Sequence, residues 1–178
     1  MSKEKWGFDI AHSSVNFWIR HLMVSKVHGR FTQWTGAFEF DEADPAASHV
    51  EVQIDASSID TKELQRDTHL RSPDFFDVEK YPHITFRSTG VDASGGEGYR
   101  VKGDLTIHGT TKPAVLEVEY AGRVKDPYGM ERAGFSAKTT INRKDFGLTW
   151  NKAIEAGGVM VGDKVEITIE VEAVKAKA

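Results

Sequence analysis

Strict alternation of apolar and polar residues is the feature that most constrains this chain. In KVEITIEVEAV, residues 164–174, every second residue from Val165 to Val171 is apolar and the residues between them are Glu or Thr. Side chains of a β-strand point alternately to opposite faces, so this pattern predicts a strand with one buried and one solvated face. VEVQIDAS (50–57) and YRVKGDLTIHG (99–109) alternate in the same way.

Five weaker segments share this period and bring the total to about eight strands. They are SVNFWIRH (14–21), RFTQWTGAFEFD (30–41), HITFRST (83–89), AVLEVEYAG (114–122) and FSAKTTINR (135–143). Turn-forming clusters separate them, and only one segment of the chain is helical enough for a parallel crossover. The sequence therefore predicts an all-β fold, a single eight-stranded antiparallel barrel, with residues 1–178 forming one domain.

A charged and aromatic stretch, LQRDTHLRSPDFFDVEKYPHITF (64–86), interrupts the alternating pattern. We expect a short helical insert near residues 57–77, polar on its outer side, with Leu70, Phe75 and Phe76 turned inward. Such an insert could close one mouth of the barrel as a lid. A helix packed on the outside of a β-sandwich is the structural alternative, and composition leaves it open.

The insert also carries a polar cluster made of Arg66, Asp67 and His69. A buried, salt-bridged anchor for the lid is the favoured interpretation of this cluster. The competing interpretation is an enzyme that uses His69, Asp67 or His21 as a general base. The sequence contains no GxSxG nucleophile motif, and we assign no catalytic residue.

The inward-facing apolar positions of the predicted strands and insert could line one interior. An eight-stranded barrel is just wide enough to be filled by its own side chains or to hold one small ligand. Periodicity does not distinguish these two cases. The candidate ligand-binding residues are Phe17, Ile19, Phe31, Phe38, Val52, Ile54, Leu70, Phe75, Phe76, Phe86, Leu105, Ile107, Phe135, Ile141, Phe146 and Trp150.

Composition excludes several classes of function. The absence of cysteine removes disulfides, thiol catalysis and cysteine-based zinc sites. The seven histidines lack the short spacings of metal-binding motifs, so we expect neither a metal nor a cofactor. A net charge of −4 argues against a nucleic-acid partner. No apolar run approaches the roughly 18–20 residues of a stable membrane span.

The N-terminal residues MSKEKWGFDIAHSS contain no apolar core and no small-residue cleavage site of the kind found in export signals. The expected location is therefore the cytoplasm, or the periplasm if an export signal has been removed from the chain. The oligomeric state is left open, with a homodimer as one alternative.

Five segments of the chain have a distinctive order and spacing. They are DIAHSSVNFWIRH (9–21), VHGRFTQWTG (27–36), IDASSIDTKELQRDTHLRSPDFFDVEKYPHITF (54–86), VKGDLTIHGTTKP (101–113) and INRKDFGL (141–148). In these segments the chain resembles the YceI-like family of lipocalin-like proteins, which are associated with polyisoprenoid binding. The resemblance runs from about Trp6 to Val171.

This resemblance implies an eight-stranded barrel with a helical insert, enclosing an apolar channel for a prenyl-chain lipid. The leading hypothesis is a non-enzymatic carrier or store for a long-chain isoprenoid, such as a quinone side chain or a prenyl phosphate. Alternatives are an enzyme acting on an isoprenoid or fatty-acyl compound, a fatty-acid or amide binder, and a stress-induced structural protein whose barrel is filled. Arg20, Arg30 and Arg143 are the candidate cations for a charged head group.

Overall fold

The computed structural model of the protein describes residues 3–96, 98–152 and 160–176. Within these ranges the chain forms strands, one α-helix and short 3-10 turns. The strands are β1 (Glu4–Phe8), β2 (Ser14–His21), β3 (Ser25–Phe31), β4 (Trp34–Phe40), β5 (His49–Asp55), β6 (Ile59–Asp60), β7 (His83–Gly95), β8 (Gly98–Ile107), β9 (Thr110–Lys125), β10 (Glu131–Asn142) and β11 (Val161–Lys175), and the helix is α1 (Leu64–Arg71).

The strands form one antiparallel sheet that closes on itself. Its order is β1-β4-β5-β7-β8-β9-β10-β11-β2-β3-β6, and the additional pairing of β11 with β1 closes a ring of eight strands from β1 to β11. These eight strands make a closed barrel, which confirms the predicted fold class. Closure leaves no unpaired sheet edge around this ring, because each strand has a hydrogen-bonded neighbour on both sides.

Two sides of the barrel each consist of two consecutive strands separated by a kink. β1 and β2 run one after the other along β11, and a 3-10 turn at Ile10–His12 separates them. β3 and β4 continue this arrangement on the next strand, where β2 pairs with β3 and β1 pairs with β4. The Ser13 hydroxyl bridges the kink, because it donates to the carbonyl of Glu172 and accepts from its N–H at 3.3 and 3.0 Å.

Each of the eight alternating segments contains a strand in the structure, although segment 30–41 spans the break between β3 and β4. β1, β6 and residues 25–29 of β3 are additions that the sequence pattern did not indicate. Only Trp6 in β1 is buried, so the strand carries almost no alternation. It is specified by pairing on both sides, with Trp6 opposite Phe38 of β4 and Lys175 of β11.

The helical insert is confirmed, but its α-helical part is shorter than residues 57–77. Residues 56–58 form a 3-10 turn, and β6 then pairs with β3 before α1 begins. Ser72 at the end of α1 is extended, with φ −77° and ψ 170°. Pro73 explains this boundary, because proline disfavours the helical conformation of the preceding residue and lacks an N–H to continue the helix.

Three strand glycines lie directly under phenylalanine rings. A Cβ atom built on Gly29 would lie 2.4 Å from the ring of Phe17, its partner across the β2–β3 pair. Gly36 and Gly103 lie in the same way beneath the rings of other phenylalanines. Glycine at these positions gives each ring room to lie against the sheet, which brings aromatic surface into the barrel interior.

Replacing Gly29 by alanine should therefore destabilise the protein. The added methyl would contact Phe17 and Thr61 far inside van der Waals distance, and overpacking of this kind costs about 1–3 kcal/mol. Gly7→Ala is the matched control, since a Cβ there has nothing within 4 Å. Urea unfolding of both variants checks the prediction, and equal free energies of unfolding would contradict it.

Candidate functional site

An apolar cavity of about 270 Å³ lies inside the barrel beneath α1. Its wall comes from the inward faces of the strands and from the inner side of the insert. Most of the predicted ligand-binding residues line it, namely Phe17, Ile19, Phe31, Val52, Ile54, Leu70, Phe75, Phe76, Phe86, Leu105, Ile107, Ile141 and Trp150. Strand alternation thus brings residues from distant parts of the sequence to one surface.

The three remaining predicted residues lie elsewhere. Phe38 and Phe135 line a second, smaller cavity of about 130 Å³. Phe146 lies outside both cavity walls and is 2% exposed within the packed core. It belongs to a 3-10 turn at Arg143–Phe146, where the two-residue period of a strand does not apply.

The two cavities share wall residues, so they lie next to each other in the barrel interior. The residues that line both are Phe8, Val52, Phe86, Leu116, Ile169 and Val171. Phe8, Leu116, Ile169 and Val171 were not among the predicted site residues. The alternation of β9 and β11 contains the missing signal for three of them, whereas Phe8 lies in β1, which the sequence pattern did not indicate.

The polar cluster of the insert anchors the lid through Thr61. The Asp67 carboxylate accepts from the Thr61 N–H at 2.9 Å and from the Thr61 hydroxyl at 2.5 Å. Arg66 donates to the same hydroxyl from Nε at 2.7 Å and to the Thr61 carbonyl at 2.8 Å. Asp67 and Thr61 are both buried, so the anchor is a shielded hydrogen-bond network centred on Thr61.

His69 lies at the cavity wall between aromatic rings. Its imidazole packs edge-on against Phe75 and Trp150, with ring centroids 5.1 and 4.7 Å away. Its Nε2 is 2.8 Å from the carboxylate of Asp74. His69 therefore joins the lid to Trp150 and presents a polar group beside an apolar space. Asp67 does not line the cavity, because its hydrogen bonds hold it against Thr61.

The candidate head-group cations have different positions. Arg20 and Arg143 line the cavity, whereas Arg30 lies on the outer surface, where its Nε is 3.9 Å from Asp60. Arg143 is buried and donates to the carbonyls of Gly162, Leu148, Trp150 and Val161. Burial lowers the pKa of its guanidinium, and these four bonds use most of its N–H groups.

The far end of the barrel contains a cluster of packed aromatic side chains, which we call the aromatic seal. Phe40 packs edge-on against Tyr99, Tyr120 and Phe135, with ring centroids 5.5–5.7 Å apart. Burial, followed by a hydrogen bond with Glu42, raises the pKa of Tyr120 to about 12. This aromatic seal lies at the end opposite α1, and we call the α1 end the mouth of the cavity.

An ion-pair network covers the aromatic seal. Arg123 lies 5.1 Å from the centroid of the Trp6 ring and donates to Glu4 and Glu131. Lys175 pairs with the same two carboxylates at 2.8 and 2.9 Å. The network joins the first and last strands of the barrel and so reinforces its closure.

One cluster outside the cavity has metal-ligand character. Asp9, His12 and Glu172 bring ligand atoms within 4.8 Å of one another. Arg132 donates to Asp9 at 2.8 Å and to Glu172 at 2.7 Å, so a guanidinium already balances the two carboxylates.

Within the described ranges, no helix is long and apolar enough to cross a membrane.

The sequence profile of the YceI-like domain matches residues 6–173. The chain belongs to the YceI-like family. A UPF0312 protein of Vibrio cholerae is 47% identical over 138 residues, which cover 78% of this chain and 73% of that protein. The structure of a Campylobacter jejuni YCEI protein is 34% identical, with a TM-score of 0.77, and the alignment covers 89% of this chain and 91% of that one.

The YceI-like barrel also resembles a polyisoprenoid binding domain from Saccharophagus degradans. The two share 18% identity with a TM-score of 0.67, and the match covers 96% of this chain and 98% of that domain. At this level of identity the similarity establishes a shared fold.

Replacing Thr61 by valine should release the lid of this YceI-like domain. The change removes the hydroxyl that bonds both Asp67 and Arg66 in a buried site, and such losses cost about 1–3 kcal/mol. Thr106→Val is the control, because that hydroxyl pairs with Thr111 at the surface. We expect faster hydrogen exchange in residues 64–71 for Thr61→Val only, and unchanged exchange would contradict the anchor.

Acid should weaken the ion-pair network that Arg123 and Lys175 form with Glu4 and Glu131. Hydrogen bonds from Arg123 and Lys175 lower the pKa values of Glu4 and Glu131 below their ordinary value of 4.5. A carboxyl with a depressed pKa stabilises the fold above its ordinary pKa, and this contribution is lost as the pH falls through the folded-state value. The free energy of unfolding should therefore decrease below about pH 4.5.

Arg123→Gln should reduce this pH dependence, since Arg123 is the largest cause of the lowered pKa of Glu4. Arg87→Gln is the control, because it removes an exposed pair with Glu51 on another strand. Urea unfolding at about pH 6 and about pH 3.5 provides the measurement. An identical pH dependence for Arg123→Gln and the wild type would contradict the role of the network.

Proposed function

We propose that this protein binds the chain of a long-chain isoprenoid lipid in the barrel interior and stores or carries it. The observation that supports this proposal is the apolar cavity, lined by side chains from most of the barrel strands and covered by a hydrogen-bonded lid. Its walls offer dispersion contacts and few polar partners, which suits a hydrocarbon chain. The shared fold of the polyisoprenoid binding domain from Saccharophagus degradans supports the same class of ligand.

The size of the interior sets a scale for the ligand. A dry apolar cavity of about 150 Å³ accommodates benzene, which has six carbon atoms, so we allow roughly 25 Å³ of cavity volume for each carbon atom of a ligand. The two cavities of about 270 and 130 Å³ then hold on the order of fifteen carbon atoms, or about three prenyl units. A longer chain would extend through the mouth beside α1 or widen the interior.

Hydrophobic burial supplies enough free energy for such a ligand. Each buried methylene contributes roughly 0.8 kcal/mol, so about fifteen carbons contribute on the order of 12 kcal/mol before costs. Lost translational freedom and chain ordering cost about 4–15 kcal/mol. Affinity should therefore depend mainly on how much of the chain is enclosed.

The head group is proposed to lie at the mouth. Arg20, Arg66 and His69 line that end of the cavity, and Arg20 is exposed to solvent. A prenyl phosphate would use the positive charge of Arg20, whereas a quinone or an amide needs only a hydrogen-bond donor. Most donor groups of Arg143 already bond backbone carbonyls, so its part is structural.

An enzyme acting on an isoprenoid or fatty-acyl compound is the second candidate. The observation that favours it is the His69–Asp74 pair beside the cavity, since a carboxylate that orients an imidazole is typical of general bases. Incubation with prenyl and fatty-acyl compounds followed by mass spectrometry separates the two candidates. Conversion that disappears in His69→Gln would establish the enzyme, and recovery of unchanged lipid supports the carrier.

Narrowing the junction of the two cavities should shorten the chain that the protein accepts. Leu116 lines both cavities, so Leu116→Trp places an indole between them. We expect weaker binding of long prenols and little change for a short prenol that fits the larger cavity. The substitution should destabilise the fold by about 1–3 kcal/mol through overpacking. Titration calorimetry with prenols of increasing length provides the measurement.

Val115→Trp is the matched control for this prediction. Val115 is the neighbouring residue of β9, it is 39% exposed, and it lies outside both cavity walls. Both variants add the same side chain, so only the inward one should change the dependence of affinity on chain length. If affinity depends on chain length in the same way in a folded Leu116→Trp variant as in the wild type, the smaller cavity holds no lipid.

A further inference from the structure

The hairpin between β2 and β3 ends in three consecutive exposed apolar residues. Leu22, Met23 and Val24 are 37%, 61% and 81% exposed, respectively. We call these residues with Arg20 and Lys26 the basic tip. Isolated exposed apolar side chains are common on protein surfaces, but a continuous group at the end of a hairpin is a feature of interaction sites.

The backbone of the basic tip is unfavourable for the residues it contains. Leu22 and Met23 have φ of 53° and 62°, and the Val24 N–H bonds the His21 carbonyl at 3.2 Å. This is the arrangement of a type I′ turn, whose central positions favour Asn and Gly. Leucine and methionine at these positions cost stability, and Met23, which is 61% exposed, gains little compensating burial in the protein.

The hairpin has a charge opposite to that of the whole protein. The chain carries a net charge of −4, yet residues 10–38 contain no Asp or Glu and include Arg20, Lys26 and Arg30. Of these three cations, only Arg30 pairs with a carboxylate among the described residues. The basic tip is therefore a positive region on an acidic protein.

Arg20 and Lys26 are also placed unfavourably unless an anion is supplied from outside. They are direct cross-strand partners, and like charges in that position repel. Both approach the exterior Trp18 ring, with Lys26 Nζ 4.2 Å and the Arg20 guanidinium carbon 5.9 Å from its centroid. Glu166 lies opposite Trp18 on β11, where it accepts a hydrogen bond from Thr140.

The basic tip is continuous with the mouth of the cavity. Arg20 and His21 line the cavity wall, as does Met160. The Leu22 N–H donates to the Met160 carbonyl at 2.8 Å, which extends the pairing of β2 with β11 by one residue and fixes the turn to the neighbouring strand. A surface that binds the tip would consequently lie next to the entrance of the apolar interior.

We propose that the basic tip docks on an anionic lipid bilayer. Leu22, Met23 and Val24 enter the boundary between head groups and acyl chains, Trp18 lies at the level of the head groups, and Arg20 and Lys26 bind lipid phosphates. Apolar residues flanked by cations and an aromatic ring are suited to this interface. The role of this docking rests on the proposed function, because docking would bring the mouth of the cavity to the membrane from which a prenyl chain would enter.

Co-sedimentation with vesicles tests this docking. The wild type should bind vesicles of phosphatidylcholine that contain roughly a third phosphatidylglycerol, and it should bind vesicles of pure phosphatidylcholine more weakly. It should dissociate from the anionic vesicles as the salt concentration is raised. Arg20→Gln with Lys26→Gln should lose roughly 25-fold in binding to the anionic vesicles, about fivefold for each cation. Lys125→Gln with Lys138→Gln removes two exposed charges elsewhere and should change binding little.

A second variant separates docking from folding. Leu22→Asn with Met23→Gly supplies the residues that a type I′ turn favours, so the protein should melt at the same or a higher temperature. It should nevertheless lose on the order of tenfold or more in vesicle binding, because two inserted side chains are removed. Tyr128→Ser is the control, since Tyr128 is 90% exposed at a different hairpin.

The outcomes for docking and for lipid binding are distinguishable. Failure of the wild type to bind anionic vesicles, or full binding by the folded Leu22→Asn/Met23→Gly variant, would overturn the docking. Loading of a prenol from detergent solution measures lipid binding without a bilayer. Vesicle binding without prenol loading would support the docking and reject the proposed function, whereas prenol loading without vesicle binding would reject the docking alone.

Discussion

Pairing of the C-terminal strand β11 with both β1 and β2 is the interaction on which the rest of this structure depends. It closes eight strands into a ring, so the apolar face of every strand turns toward one interior. Ser13 maintains the hydrogen bonding to Glu172 where the kink between β1 and β2 would interrupt it. Without this closure the apolar faces would meet water and the cavity would not exist.

The two ends of the barrel are built differently, and this difference gives the interior a direction. Aromatic rings around Phe40 fill one end, and the ion pairs of Arg123 and Lys175 cover them. The other end is covered by α1, which is held by polar contacts to Thr61. An eight-residue helix with polar anchors can move at a lower cost than a packed aromatic cluster, so we propose the α1 end as the entrance for a ligand.

Alternation in the sequence predicts most of the barrel because one side of each strand is buried. Val52, Leu105 and Ile107 follow that rule and line the cavity. β1 does not follow the alternation rule, because only Trp6 is buried there and pairing with the neighbouring strands specifies it. Phe146 escapes it because a 3-10 turn replaces strand periodicity. The existence of empty space could not be predicted, since a filled and a hollow barrel have the same pattern of apolar residues.

Native mass spectrometry of the purified protein tests the central claim most directly. The account predicts a complex that is heavier than the chain by the mass of one isoprenoid lipid, or uptake of one prenol by the lipid-free protein. Organic extraction should then yield a prenyl-chain compound. A spectrum that contains only the bare chain, before and after incubation with prenols, would contradict a hollow, lipid-binding barrel.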